Sequence, residues 1–212
     1  MVIIANIMTA VIFIGKAPMK RIFILNGHPA ETSLSRHLAS AYAESAEQAG
    51  HTVRILHLHD LTFDIDFGFG GYQTVKPLED DLEQVLHNLE WAEHVVLITP
   101  MWWGGLPAKL KGLFDRALLP GRAFDTRNSK WGMPAPLLAG RSARIVITSD
   151  TPGWFLRIAY KNALIWQIRG QILNLIGIKP SRFTHFSGAS HPRPGQVEAW
   201  LQQVRRLGRT AS

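Results

Sequence analysis

Two turns of this chain collect residue types that bind ligands. The first reads Asn26-Gly27-His28-Pro29-Ala30-Glu31-Thr32-Ser33-Leu34-Ser35, a hydroxyl-rich turn leading into a helical pattern. A helix start offers unpaired N–H groups and a partial positive charge, which suit a phosphate. Thr32, Ser33 and Ser35 add side-chain donors, Leu34 contributes its backbone, and His28 adds a donor or a charge. A plainer use is open to the same residues, because Thr32 or Ser33 is also a good helix cap. The turn has neither a GxGxxG pattern nor a Walker lysine, so it is not a dinucleotide fingerprint or a P-loop. The second turn is Pro100-Met101-Trp102-Trp103-Gly104-Gly105-Leu106-Pro107. Neighbouring side chains diverge in an irregular backbone, so at most one tryptophan can point straight into a core. The other is free to frame a flat ligand, whose polar edge the N–H groups of the turn can bond. The alternative is that both tryptophans are core residues.

Other chemistries are excluded by composition. There is no cysteine, hence no disulfide, thiolate metal site or cysteine nucleophile, and any redox chemistry falls to a bound cofactor. The nine histidines show no HxxxH or HExxH spacing, and His57 and His59 merely flank one residue, so no metal site is expected. The net charge of +7 comes from scattered residues such as Lys109, Lys111, Arg122, Arg144, Arg157 and Lys161. That surface favours anionic substrates and lacks a reading element for nucleic acid.

The elements that must hold these turns alternate strand and helix over 212 residues. Strands are expected at Arg21–Leu25, Thr52–Leu58, His94–Thr99, Ala143–Thr148 and Ser181–Phe186. Helices are expected from Leu34 to a stop at Gly50, over Leu78–Leu89, Pro107–Leu118 and Val197–Leu207, with one long apolar helix over Gly153–Leu175. Five such strands make a doubly wound parallel sheet with helices on both faces, an α/β class. Ligands then sit beyond the carboxyl ends of the strands where the winding reverses. The loop from Asp60 to Pro77, with Gly68, Gly70 and Gly71, is long enough to be functional or mobile. Residues 1–19 are a largely apolar leader, too short to span a bilayer and with its first basic residue, Lys16, after the apolar run. A single domain is expected over 20–212.

The tryptophan turn is the more specific signal. Pro-x-Trp-Trp-Gly-x-x-Pro-Ala-x-Leu-Lys-Gly-x-Phe-Asp-Arg from Pro100, followed by Pro120-Gly121-Arg122-Ala123-Phe124, resembles the flavin-ring loop of the NAD(P)H:quinone reductases. These are flavodoxin-like flavoproteins that include the ancillary oxidoreductases of bacterial potassium-efflux systems. The His28-Pro29 turn with Thr32-Ser33-x-Ser35 resembles the same family's flavin-phosphate loop. The likeness runs from Lys20 to Phe124 and continues more weakly to Gly188. It implies a flavodoxin-like fold and a bound flavin, FMN in preference to FAD because no residues announce an adenosine site. It further implies NAD(P)H as co-substrate, a quinone or similar flat electrophile as acceptor, and ping-pong hydride transfer. Implied flavin contacts are His28, Thr32, Ser33, Leu34, Ser35, Pro100, Met101, Trp102, Trp103 and Gly104. A third turn, Thr148-Ser149-Asp150-Thr151-Pro152-Gly153, resembles the family's Thr-Thr-Gly-Gly turn, with Thr148, Ser149 and Gly153 as contacts and Asp150 and Pro152 as departures. Some members place a tyrosine and a histidine after this turn. Here Tyr160 is the one tyrosine available as a proton relay, and the next histidine is His185 on the fifth strand. The resemblance also implies a homodimer, with Trp154, Phe155, Tyr160 and Trp166 as an interface wall. A cytoplasmic location, peripheral to the inner face of the membrane, follows from the same likeness. The alternatives it carries are a regulatory flavoprotein subunit associated with a membrane transporter, and an NADPH-dependent flavin, azo or nitro reductase.

Overall fold

A computed structural model describes residues 18–68, 76–130 and 132–212. The leader, apart from its last two residues, and Gly70 and Gly71 of the long loop lie outside the described residues. In chain order the elements are β1 (Arg21–Asn26), α1 (Leu34–Gln48), β2 (Thr52–His57), α2 (Asp80–Trp91), β3 (His94–Pro100) and α3 (Ala108–Ala117). A hairpin of β4 (Phe124–Lys130) and β5 (Met133–Pro136) follows, then β6 (Ser142–Ser149) and α4 (Gly153–Ile158). The chain ends with α5 (Ala163–Trp166), a π-helical stretch (Gln167–Asn174), β7 (Ser181–Ser187) and α6 (Gln196–Thr210).

Five strands form one parallel sheet in the order β2-β1-β3-β6-β7. Strand periodicity divides the core cleanly. Phe23, Leu25, Val95, Leu97, Ile145 and Ile147 face α2, α3 and the π-helical stretch. Their sequence neighbours Ile22, Ile24, Val96, Ile98 and Val146 face α1 and α6. β3 is buried along its whole length, as a central strand covered on both faces must be. Helix ends obey local rules: Ser33 caps α1 by accepting from the Arg36 N–H, and Gly50, with φ 95°, takes the left-handed position after α1. Asp80, Asp81 and Glu83 occupy the first turn of α2, where negative charge complements the helix dipole. Among the described residues no helix is long and apolar enough to cross a membrane.

Two expectations need correcting. The apolar run Gly153–Leu175 is not one helix. It breaks after Ile158, where Lys161 and Asn162 adopt left-handed backbone (φ 48° and 54°) and the Asn162 N–H donates to Leu156 O at 2.9 Å. Asn is one of the few residues that take this conformation cheaply. Trp154, Ile158 and Trp166 consequently face outward. The β4–β5 hairpin was not foreseen, because Asp125-Thr-Arg-Asn-Ser-Lys130 has no alternation of apolar and polar residues to mark a strand. Asp125 organises its start by accepting from the Arg127 backbone N–H at 2.9 Å.

Candidate functional site

The winding reverses between β1 and β3, which lie side by side while β2 flanks one and β6 the other. The turns leaving β1 and β3 therefore emerge at the same end of the sheet, with the turn after β6 next to them.

At the first turn the buried Asn26 side chain is a hub. Its Oδ1 accepts from the His28 N–H at 3.2 Å and its Nδ2 meets His57 Nδ1 at 3.2 Å. His28 Nδ1 in turn accepts from the Ala30 N–H at 3.0 Å, which leaves the proton of the neutral ring on Nε2. Burial lowers the His28 pKa from its ordinary value, with the Ala30 bond as a smaller opposing effect, so at neutral pH the ring offers a donor and no charge. Ser33 is spent as the cap of α1, at 3.2 Å to the Arg36 N–H. Ser35 is different: it is 1% exposed and its Oγ has no hydrogen-bond partner among the described residues. The N–H groups of Leu34 and Ser35 also lack a backbone acceptor among them, being in the first turn of the helix. Two backbone N–H groups and one hydroxyl thus belong to the first turn of one helix, while Thr32 stands exposed at its edge.

The second turn is tight. Trp102 and Gly105 exchange backbone hydrogen bonds of 3.0 and 2.9 Å, and the two residues between them, Trp103 and Gly104, have φ of 51° and 73°. Two left-handed residues in a two-residue loop are the pattern of a type I′ turn. For a bulky residue such as Trp103 this backbone is strained, and strain of this kind collects at ligand sites. Trp102 is 44% exposed, with its ring edge-on to His28 at 5.4 Å, and Trp103 is fully exposed. Neither tryptophan belongs to the core. One donor drops out, however: the Trp102 N–H is consumed by Gly105, which leaves the N–H groups of Trp103 and Gly104 without an acceptor among the described residues.

Across from it, the Met101 N–H donates to Thr148 O at 2.8 Å, tying the second turn to the third. Pro100 and Thr148 are register partners buried within the sheet. The departure at Asp150 has a structural use, since its carboxylate accepts from the Ser190 N–H and hydroxyl, each at 2.7 Å, and fastens the turn to the segment after β7. Those bonds hold its pKa below the usual carboxylate value. Ser149 Oγ lies 2.7 Å from His185 Nε2. His185, whose pKa burial lowers, was seen in the sequence only as a residue of the fifth strand. The register that pairs Ile147 with His185 and Ser149 with Ser187 brings it to Ser149, and nothing local in the sequence signals that.

A cleft of about 620 Å³ opens between the second and third turns, lined by Met101, Trp103, Gly104, Ser149, Asp150 and Tyr160 among others. Tyr160 is half exposed and stands edge-on to Phe155 at 5.2 Å. Gly153 does not line this cleft; it lines a neighbouring apolar pocket beneath α4.

Comparison with known proteins agrees with this geometry. The family described by a flavodoxin-like fold matches residues 20–207. An uncharacterized NAD(P)H oxidoreductase of Haemophilus influenzae is 28% identical over 110 residues, covering 50% of this chain and 54% of that protein. An FMN-dependent NADH:quinone oxidoreductase of Ruegeria pomeroyi is 32% identical over 133 residues, covering 55% and 63% respectively. The chain thus aligns with roughly half to two thirds of the length of these two relatives. The solved NAD(P)H:quinone oxidoreductase of Methanothermobacter marburgensis superposes with a TM-score of 0.74 at 26% identity, covering 91% of this chain and 96% of that one. With the sheet order, the tryptophan turn and these likenesses in agreement, the chain belongs to the NAD(P)H:quinone oxidoreductase family of the flavodoxin-like fold.

Proposed function

We propose that this chain is an FMN-dependent NAD(P)H dehydrogenase acting on quinones. The observation that carries the reading is the opposition of two features at one switch point. A helix start with the unpartnered, buried Ser35 hydroxyl suits a phosphate, and the exposed Trp102–Trp103 turn facing the Thr148–Gly153 turn suits a flat ring. The name of the Ruegeria pomeroyi relative supports FMN as the phosphorylated flat group. Bound FMN would supply hydride chemistry, accepting from NAD(P)H and delivering to a quinone in turn at one open face.

The side chains have separable tasks. Leu34 and Ser35 bind phosphate oxygens through backbone N–H groups and the Ser35 hydroxyl, with His28 Nε2–H beside them. Trp103 and Gly104 would offer their backbone N–H groups to the polar edge of such a ring, in the manner of an oxyanion hole. Met101 and Trp102 wall the ring, and Ser149 offers a hydroxyl oriented by His185. Tyr160, which also lines the cleft, would serve as the proton donor to the acceptor. The exposed aromatic run Trp154, Phe155, Tyr160 and Trp166 supports assembly as a homodimer, since interfaces are enriched in such residues.

Purification followed by absorbance spectroscopy and release of the chromophore tests the reading directly. One FMN per chain, reducible by NAD(P)H and reoxidised by a benzoquinone, is the expected result. A colourless protein that takes up no added flavin would overturn it, and FAD in the released fraction would correct the cofactor alone.

A further inference from the structure

Beneath α4 lies a second pocket, of about 410 Å³, beyond the cleft assigned to the flavin ring. It shares Met101, Leu156 and Leu164 with the cleft, so the two spaces adjoin along three apolar residues. Its far side is built from Ile147, Trp154 and Ile165, with His185, Arg157 and Asn162 as its polar members. Well-packed proteins leave few voids larger than a water molecule. An open apolar space of this size is therefore a binding surface in search of hydrocarbon. Most of the lining is apolar, so it favours hydrocarbon over a polar ring edge. The break after Ile158 creates the space: it swings Asn162 and Ala163 away from the line of α4 and leaves Leu164 and Ile165 to form the floor.

We propose that this annex is a subsite for the alkyl or prenyl substituent of the acceptor, so that the preferred substrates are quinones carrying an apolar tail. The proposal rests on the quinone reading above and extends it to a substrate class. At ~30 Å³ for a water-sized group the annex holds about fourteen carbon atoms, nearly three isoprene units. Each methylene buried there tightens binding up to about fourfold. The quinone head stays in the cleft between Trp103 and Tyr160, and its tail passes Met101 into the annex.

The test uses a redox-inert probe, so that it does not depend on turnover. A series of 4-n-alkylphenols, from methyl to decyl, is titrated calorimetrically into the purified protein and into Ile165→Trp and Ile165→Ala variants. In the unaltered protein affinity rises several-fold per methylene and then levels off. Ile165→Trp, which fills the annex, makes it level two or three carbons earlier, and Ile165→Ala makes it level later; either variant alone suffices if the other does not fold. Affinity independent of chain length, or one length profile shared by all the proteins, would overturn the proposal. In parallel, 2-n-alkylbenzoquinones are assayed with NADPH. Failure to reduce even the methyl compound sinks the quinone reading, while the phenol series still judges the annex.

Discussion

His94 begins the strand whose other end carries the tryptophan turn, and it makes the fold sensitive to acid. The ring is 1% exposed, its Nδ1 lies 2.8 Å from Ser142 Oγ, and its Nε2 has no partner. Burial, reinforced by the positive charges of Lys20 and Arg144 and by His51 and Arg182, lowers its pKa to about 3 from an ordinary 6.5. In the unfolded chain the ring takes a proton as pH falls through 6.5, whereas the folded protein refuses it until about pH 3. The unfolded state thus binds more protons throughout that window, and stability declines as pH falls. With about 1.4 kcal/mol per pKa unit, this one group removes roughly 2 kcal/mol between neutral pH and pH 5, and roughly 4 kcal/mol by pH 3. The upper part of the window is the informative one, because carboxylates such as Asp150 and Asp64 add their own losses only at lower pH. His94→Asn keeps a polar group beside Ser142 and removes the titration. Urea unfolding of both proteins at matched flavin occupancy from pH 7.5 to 5 measures the difference. His28, His57 and His185 are also depressed by burial, but they are common to both proteins and cancel. The stability advantage of the unaltered protein over the variant is expected to shrink by about 2 kcal/mol across the range. That is roughly 0.7 to 1 M in urea midpoint for an m-value of about 2 to 3 kcal/mol/M. A difference that stays constant with pH would refute the argument.

The two serines of the first turn separate structure from binding. Ser33→Ala removes the α1 cap and lowers stability by about 1 kcal/mol, whereas Ser35→Ala deletes an unpartnered hydroxyl, leaves stability nearly unchanged and weakens FMN retention; equal flavin affinity in Ser35→Ala and the parent, by fluorescence titration, would remove Ser35 from the phosphate site. Arg116 is a buried guanidinium that donates to Asp64 O, to Pro77 O at 2.9 Å and to both oxygens of Glu79, pinning the two ends of the long loop. Arg116→Ala is expected to cost about 2 to 3 kcal/mol in chemical denaturation, chiefly from the carbonyl groups left without its donors, and a loss under 1 kcal/mol would show that the loop holds without it. Gly208 packs α6 onto α1 so closely that an added Cβ would lie 2.5 Å from Tyr42 O and 2.2 Å from Ser45 Oγ. Gly208→Ala should therefore cost about 3 kcal/mol, read as a lowered melting temperature, with a neutral effect arguing against this contact.

Much of this was legible in order along the chain. The five strands, their continuous apolar runs and the stops between them dictated a doubly wound sheet, because strand and helix periods are local properties of a sequence. The tryptophan turn was readable for the same reason: Pro, Gly and two adjacent indoles constrain a short backbone whatever surrounds it. Local rules also bounded the hydroxyl turn, although they left the helix cap open between Thr32 and Ser33. The structure gives the cap to Ser33, through the Arg36 N–H, and buries Ser35 without a partner among the described residues. The break at Lys161 and Asn162 escaped prediction because apolar composition suggests a helix without requiring that it be straight. His185 escaped because its relation to Ser149 depends on the β6–β7 register, a pairing between residues 36 apart. Residue types and spacings set the turns and the chemistry available to them. The tertiary structure decided which hydroxyl is left unpaired, which N–H is consumed by its own turn, and where an apolar space opens, since these follow from the packing of segments distant in sequence.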